Sequence, residues 1–313
     1  MKGALFGLLA FALYASHDVI IKLLGGTYSP FQIIFFSSLF SFPLVTFMLM
    51  RDPTMGNLRP VHPWWIALRT GCSVIASSCA FYAFSALPLA QTYAILFAMP
   101  LVITVLSIPI LQERVGLHRW GAVAVGLAGV MVVLQPGAQD LGAGHGAALA
   151  AALFSATAAI IIRKIGREER PVVVLLYPLA ANFVVMAALL PLVYKPMPLL
   201  HLGGLGAMSL LGFAAGLFLI AAYKHAEAAI VAPMQYSQII WASIFGAALF
   251  GDTLDQTTMI GTGIIIASGL YIVFRESRGG RSDNTPVLRT RSRGSTAASF
   301  RISPLLRRGK PRV

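Results

Sequence analysis

The chain has 313 residues, of which 57% are hydrophobic and 11% charged, whereas a soluble domain carries roughly a quarter. A chain so poor in charge cannot clothe itself in polar surface, so a soluble enzyme or binding module is excluded. The formal charge of +13 suggests nucleic acid until it is located. Residues 275–313 hold eleven Lys/Arg and two acids, so +9 lies in that tail and only +4 in the other 274 residues.

The apolar residues recur in blocks of about twenty, the length that crosses a bilayer. Lipid offers the backbone no hydrogen bonds, and blocks this long without alternating polarity select helices over a barrel. Breakers place spans near 3–24, 30–50, 64–86, 89–111, 118–135, 144–164, 171–193, 203–225, 228–250 and 257–275. The short connections between them leave no room for an extramembrane domain. The expected fold is an all-α membrane protein of ten transmembrane helices.

Span 1 follows Lys2 and resembles a signal peptide only at its start. The run continues through Asp18 to Lys22 without a small-x-small cleavage site, and reads as a retained helix. His17 and Asp18 fall inside it, where an ionisable group costs at least roughly 2.5 kcal/mol. Asp18 and Lys22 are spaced i, i+4 with the acid first, the favourable order for a helical ion pair. A structural pair is one reading. Proton coupling or substrate contact by His17 or Asp18 is the other, since histidine titrates near neutral pH.

Span 3 carries Cys72 and Cys79, seven residues and so about 10 Å apart along a helix, too far for a disulfide. Its Ser73, Ser77 and Ser78 read as packing hydroxyls, and Tyr82 joins the substrate candidates. Span 4 sets Tyr93, Phe97, Pro100 and Thr104 along one stripe. Pro100 removes an internal hydrogen bond and predicts a kink near the midplane, tolerable where a helix lines a cavity. Ser155 and Thr157 on span 6, and Tyr177 and Asn182 on span 7, are lesser candidates.

Span 9 is unusually polar. At 100° per residue, Met234, Gln235, Ser237, Gln238 and Trp241 share one arc, and a ring beside two amides suits a planar ligand. Interhelical polar packing is the alternative. Tyr236 and Ser243 fall off this arc. Glu113 and Asp252 each precede the next helix, where a carboxylate favours the N-terminal dipole. The tail, 277–313, mixes Arg with Ser, Gly and Pro, reads as disordered, and suits contact with anionic lipid.

An internal repeat organises the spans. Phe81–Glu113 lies without gaps over Ile220–Asp252, an offset of 139, pairing Ala83 with Ala222 and Glu113 with Asp252. One residue later in register, Gly121 and Gly129 align with Gly261 and Gly269. The expected domains are a first five-helix repeat at 1–140, a second at 141–276, and the tail. An odd number of helices per half inverts the second copy, giving two inverted five-helix repeats around a central cavity, the architecture of many secondary transporters. Basic residues at 51, 59, 69, 114, 119, 163, 164, 167, 170 and 224 share a side with the tail, opposite Lys195. Both termini are therefore expected in the cytoplasm.

Several blocks carry a resemblance. In the first half they are PLAQTYAILFAMPL (88–101) and ILQERVGLHRWGAVAVGLAGVMVVLQPG (110–137). In the second they are AYKHAEAAIVAPMQYSQIIWA (222–242) and FGDTLDQTTMIGTGIIIASGLYIVFRE (250–276). Over residues 1 to about 276 the chain resembles the EamA-type ten-helix members of the drug/metabolite transporter superfamily. ALYASHDVIIKLLGG (12–26) and APMQYSQIIWA (232–242) look most like uptake carriers for S-adenosylmethionine or riboflavin. The resemblance implies a basket of two repeats with helices 4 and 9 prominent in the lining.

The resulting expectation is a secondary transporter of the bacterial inner membrane, with substrate between helices 1, 3, 4, 6, 8 and 9. Substrate-binding candidates are Tyr82, Tyr93, Phe97, Pro100, Gln235, Gln238 and Trp241; His17 and Asp18 are candidates for proton coupling. The sequence shows no phosphate loop, metal cluster or catalytic triad spacing, so no cofactor or metal is expected. Expected partners are a small-molecule substrate and the lipid bilayer, without nucleic acid; a homodimer is left open. An exporter of amino acids or drugs is the rival within transport. A membrane-embedded enzyme or non-transporting assembly factor is the rival outside it.

Overall fold

The computed structural model of the chain describes residues 2–50, 58–112, 116–136, 141–165, 168–225, 231–252 and 255–278. Glu113 and the basic tail beyond residue 278 lie outside them. Spans 1 to 3 are the helices Lys2–Gly25, Pro30–Met50 and Pro63–Ala86. Span 4 is the pair Leu89–Leu96 and Met99–Leu111. Spans 5 to 8 are Leu117–Leu134, Ala143–Ile165, Pro171–Val193 and Leu199–His225. Span 9 combines Ala232–Tyr236, Ser237–Phe245 and Gly246–Phe250, and span 10 is Gln256–Arg278. Spans 1, 3, 4, 6, 7 and 8 are each long and apolar enough to cross a bilayer, and spans 2, 5 and 10 contain shorter apolar helices. The expected ten-helix membrane fold is what the chain adopts.

Local chemistry sets several ends. Pro30, Pro63 and Pro171 each open a helix, where a fixed φ helps and the missing N–H would have had no partner. Gln112, Gln135 and Gly251 follow spans 4, 5 and 9 with φ of 56°, 44° and 66°. Such left-handed residues satisfy the last carbonyls and stop a helix. Gln112 and Gly251 are equivalent at the offset of 139, so both halves end the same span with the same backbone turn.

The packing is two-fold. Span 1 packs on span 8 and span 3 on span 6, which exchange when each span is replaced by its counterpart five later. Spans 2 and 7, 4 and 9, and 5 and 10 pack on each other and map onto themselves. Consecutive crossings alternate in direction, so spans 1 and 6 run oppositely and the exchange axis lies in the membrane plane.

Spans 5 and 10 approach most closely at glycines. A Cβ on Gly129 would stand 2.9 Å from the Gly261 carbonyl oxygen, and one on Gly261 would stand 2.7 Å from that of Gly129. Small residues let membrane helices meet backbone to backbone in this way, where no hydrophobic effect drives helix association. The Ser268 hydroxyl adds a 2.5 Å bond to the Ala122 carbonyl across the same contact.

A second notch lies at Gly269, where a Cβ would fall 1.9 Å from the Tyr236 hydroxyl. Gly269→Ala is expected to cost about 1 to 3 kcal/mol by overpacking and lower the melting temperature by a few degrees. Adding Tyr236→Phe removes the clashing atom and should recover part of the loss, a coupling that thermal melts of the double-mutant cycle detect.

Candidate functional site

Both central spans depart from α-helical form at equivalent depth. In span 4 the helix stops at Leu96 and restarts at Met99. Pro100 has no N–H and leaves the Leu96 carbonyl, its i−4 acceptor, without a helical donor. The expected kink is thus present, displaced to Phe97 and Ala98 because the lost bond reaches back one turn. In span 9 the Ala232–Tyr236 segment, with Pro233 near its start, is a 3-10 turn, and Gly246–Phe250 is a π turn. The offset equates Phe97 with Tyr236. Their rings meet edge to face with centroids 5.1 Å apart, close to where the two-fold axis must pass.

Beside these breaks lies a cavity of about 90 Å³. Span 1 gives it His17, Asp18 and Ile21. Span 3 gives Ser77, Phe81 and Phe84, span 4 gives Tyr93, Phe97 and Met99, span 6 gives Ala152 and Ser155, and span 9 gives Gln235 and Gln238. No described residue of span 8 lines it, contrary to the expectation for that helix, because span 8 packs on the outer face of span 1. The volume holds several waters but is well below the roughly 300 Å³ at which drug-sized sites begin. The walls must part to admit a metabolite.

The polar core of the cavity is a chain of hydrogen bonds. The His17 Nδ1 lies 2.8 Å from one oxygen of the Asp18 carboxylate. The Tyr93 hydroxyl donates to the other oxygen. The Gln238 amide reaches the Tyr93 oxygen at 3.5 Å, a long contact at the edge of hydrogen bonding. Asp18 is only 3% exposed, and a carboxylate at that depth is held by these donors. Spans 1, 4 and 9 are thereby joined through one acid. Around it the Tyr93 ring packs against Phe84 at 5.2 Å and Phe97 at 5.9 Å, and His17 packs edge-on to Phe81.

Of the residues singled out in the sequence, His17, Asp18, Tyr93, Phe97, Gln235 and Gln238 come together here. Tyr82, Pro100 and Trp241 do not. Tyr82 is 41% exposed: Phe81 and Phe84 face the cavity, and the residue between them turns about 100° outward. Pro100 acts through the break it causes. Trp241 stacks on Phe245, away from the cavity. Trp241 shares the α-helical segment Ser237–Phe245 with Gln238 but stands about 60° round the helix from it, so the expected arc was wider than the strip of span 9 that meets the cavity. Met234 packs on span 1, next to Gly7, and Ser237 bonds back to the Met234 carbonyl.

The Asp18–Lys22 pair is not formed. Lys22 instead reaches Asp252, 230 residues away, with Nζ to Oδ2 at 2.5 Å, and lies over the Phe250 ring at 4.6 Å. Asp252 also accepts the Leu89 N–H at 3.3 Å. It therefore serves the N-terminus of span 4, not that of span 10 as the sequence suggested, because the π turn and Gly251 swing it inward. Among the lesser candidates, Ser77 donates to Asn182 at 2.8 Å, Thr157 bonds back to Leu153, and the Tyr177 hydroxyl reaches the Leu58 carbonyl. Sequence reasoning missed Phe81, Phe84 and Ala152, ordinary core residues whose only signal was their phase relative to Ser77 and Ser155. A group of three or more His, Cys, Asp or Glu side chains able to hold a metal does not occur among the described residues.

Comparison with known proteins gives the family. A family model described as the EamA-like transporter family matches residues 1–135 and again 142–274. The S-adenosylmethionine uptake transporter of Rickettsia bellii is 26% identical over 87% of this chain and 93% of its own length. The riboflavin transporter of Vibrio cholerae is 28% identical over 72% and 77%. The pseudopaline exporter of Pseudomonas aeruginosa is 24% identical over 89% and 98%. A solved crystal structure superposes with a TM-score of 0.54 at 17% identity, covering 85% of this chain and 94% of that one, which supports the fold alone. The two matched halves cover nearly all the helical body, and the chain belongs to the EamA-like transporter family.

Proposed function

We propose that the protein is a secondary transporter that takes up a small heteroaromatic metabolite, of the kind represented by riboflavin or S-adenosylmethionine, across a bacterial inner membrane. The repeats 1–140 and 141–276 are its exchanging units. Both termini face the cytoplasm, so the end of the bundle where span 1 finishes at Gly25 faces out. The observation that carries the reading is the Asp18–Tyr93–Gln238 chain set among Phe81, Phe84 and Phe97. Aromatic faces suit a planar ring, while the amides and acid suit its ring heteroatoms. In this reading His17 and Asp18 carry the coupling proton, and the tail rests on anionic lipid.

A second direction is favoured by one finding, the similarity of an exporter over nearly the same span as the uptake carriers. Gradients and coupling set direction, and the same cavity serves either.

The test combines binding and transport. Purified protein is screened by thermal shift against vitamins, nucleosides and amino acids, and a specific ligand at 100 times its Kd should stabilise by about 2.7 kcal/mol. Uptake of the labelled hit into proteoliposomes should then saturate and should fall when the proton gradient is collapsed. Absence of uptake across the panel, with Gln238→Ala silent, would sink the transport reading. Uptake indifferent to the gradient would sink the proton assignment.

A further inference from the structure

One turn beyond the cavity, toward the end of span 1, three spans meet at one carboxylate. Asp252, at the end of span 9, holds the Lys22 ammonium of span 1 at 2.5 Å and the Leu89 N–H of span 4 at 3.3 Å. Both charged side chains are largely buried, 13% and 19% exposed. Parting these spans would leave Lys22 without its counter-charge in an apolar setting, which is strongly unfavourable. A second carboxylate lies within its reach. Asp18 precedes Lys22 by four residues on the same helix, so it sits one turn deeper on the same face, with Cβ atoms about 5 to 6 Å apart.

We propose that Lys22 is a two-position switch, paired with Asp252 when the outer gate is closed and with Asp18 when it is open. The moving part is the short helix Leu89–Leu96. It touches both carboxylates, with the Leu89 N–H at its start on Asp252 and the Tyr93 O–H one turn later on Asp18. The break at Phe97 and Ala98 uncouples it from the rest of span 4. One displacement of this helix moves a donor off each acid, so that Lys22 passes from Asp252 to Asp18.

The exchange ties the gate to cavity occupancy. A proton or a cationic substrate group on Asp18 removes the acceptor that Lys22 needs outside the closed state. The loaded cavity therefore keeps its outer end shut, and an unloaded, ionised Asp18 lets it open. His17, on the other oxygen of Asp18 at 2.8 Å, holds the acid in place through both states. The repeat puts Arg163 and Lys164 of span 6 near the position of Lys22 in span 1, so the opposite end carries cations on the equivalent helix.

The switch rests on the transporter reading, and its readout is accessibility instead of uptake, so the two fail separately. Cys72 and Cys79 are replaced in the full chain, Ala80 in the cavity wall becomes the sole cysteine, and the reconstituted protein is labelled from outside with a membrane-impermeant maleimide. Asp252→Asn should raise the labelling rate about fivefold or more by shifting the population toward the open state, and Asp18→Asn should lower it by a similar factor. The charge-swapped pair Lys22→Asp with Asp252→Lys keeps the closed contact and should label as slowly as the parent, which also controls for misfolding of the single variant. Unchanged labelling in Asp252→Asn, a rise in Asp18→Asn, or fast labelling of the swapped pair would each overturn the switch.

Discussion

Asp18→Asn is expected to cut uptake about 10- to 100-fold, because charge-assisted hydrogen bonds are worth about 1.5 to 3 kcal/mol each and about 1.4 kcal/mol is tenfold. The substitution keeps the shape of the side chain and an acceptor for the Tyr93 hydroxyl, but loses the charge that His17 and Tyr93 both address. The fold should survive, since the amide oxygen still accepts from Tyr93, the amide N–H meets His17 Nδ1 with that nitrogen as acceptor, and no orphaned ion is left. Tyr93→Phe removes the bond to Asp18 and the long contact from Gln238 but keeps the charge, and should cost about tenfold. Initial rates of labelled-substrate uptake in proteoliposomes, beside the melting temperature of each variant, make the comparison. Uptake by Asp18→Asn within twofold of the parent would contradict the central role given to this acid.

The second large effect lies away from the cavity. Gly261→Val should destabilise the protein by about 3 kcal/mol or more, beyond the usual range for overpacking because backbone atoms bound the site. A Cβ there meets Val133 Cγ2 at 2.6 Å, the Gly129 carbonyl oxygen at 2.7 Å and the Val133 amide nitrogen at 2.9 Å. Two of these three are main chain and cannot rotate aside. Gly263 lies two residues on in the same helix with nothing within 4 Å of its Cβ position, so Gly263→Val is the matched control and should be near neutral. Recovery of monodisperse protein in detergent and its thermal midpoint report the difference. Equal behaviour of the two variants would mean that spans 5 and 10 do not depend on their glycine contact.

The fold was legible in the sequence because lipid leaves a chain few options. Apolar length and short connections are one-dimensional signals, and the repeat joined them into two inverted halves. The site was legible only in part. His17 and Asp18 stood out because ionisable groups are rare in a span, and Gln235 and Gln238 because amides are. Trp241 and Tyr82 drew attention by residue type alone, and type does not say which way a side chain turns. At Trp241 the expected arc was wider than the strip of span 9 that meets the cavity. The Lys22–Asp252 contact had no local signal at all. Asp18 offered Lys22 a local partner by spacing, and a partner 230 residues away in sequence outcompeted it through tertiary packing. Pro100 was read correctly as a break but wrongly as a wall, since proline acts on the carbonyl one turn back.

The pairing of spans also constrains how the protein is made. Span 1 finds its main packing partner in span 8, which ends at His225, about 200 residues and so roughly 10 to 40 s of synthesis later. Until Tyr93 arrives, 75 residues downstream, Asp18 lies in a newborn helix without the hydroxyl that holds it. Span 1 thus enters the bilayer before the tyrosine that meets its acid and long before the helix it packs on most.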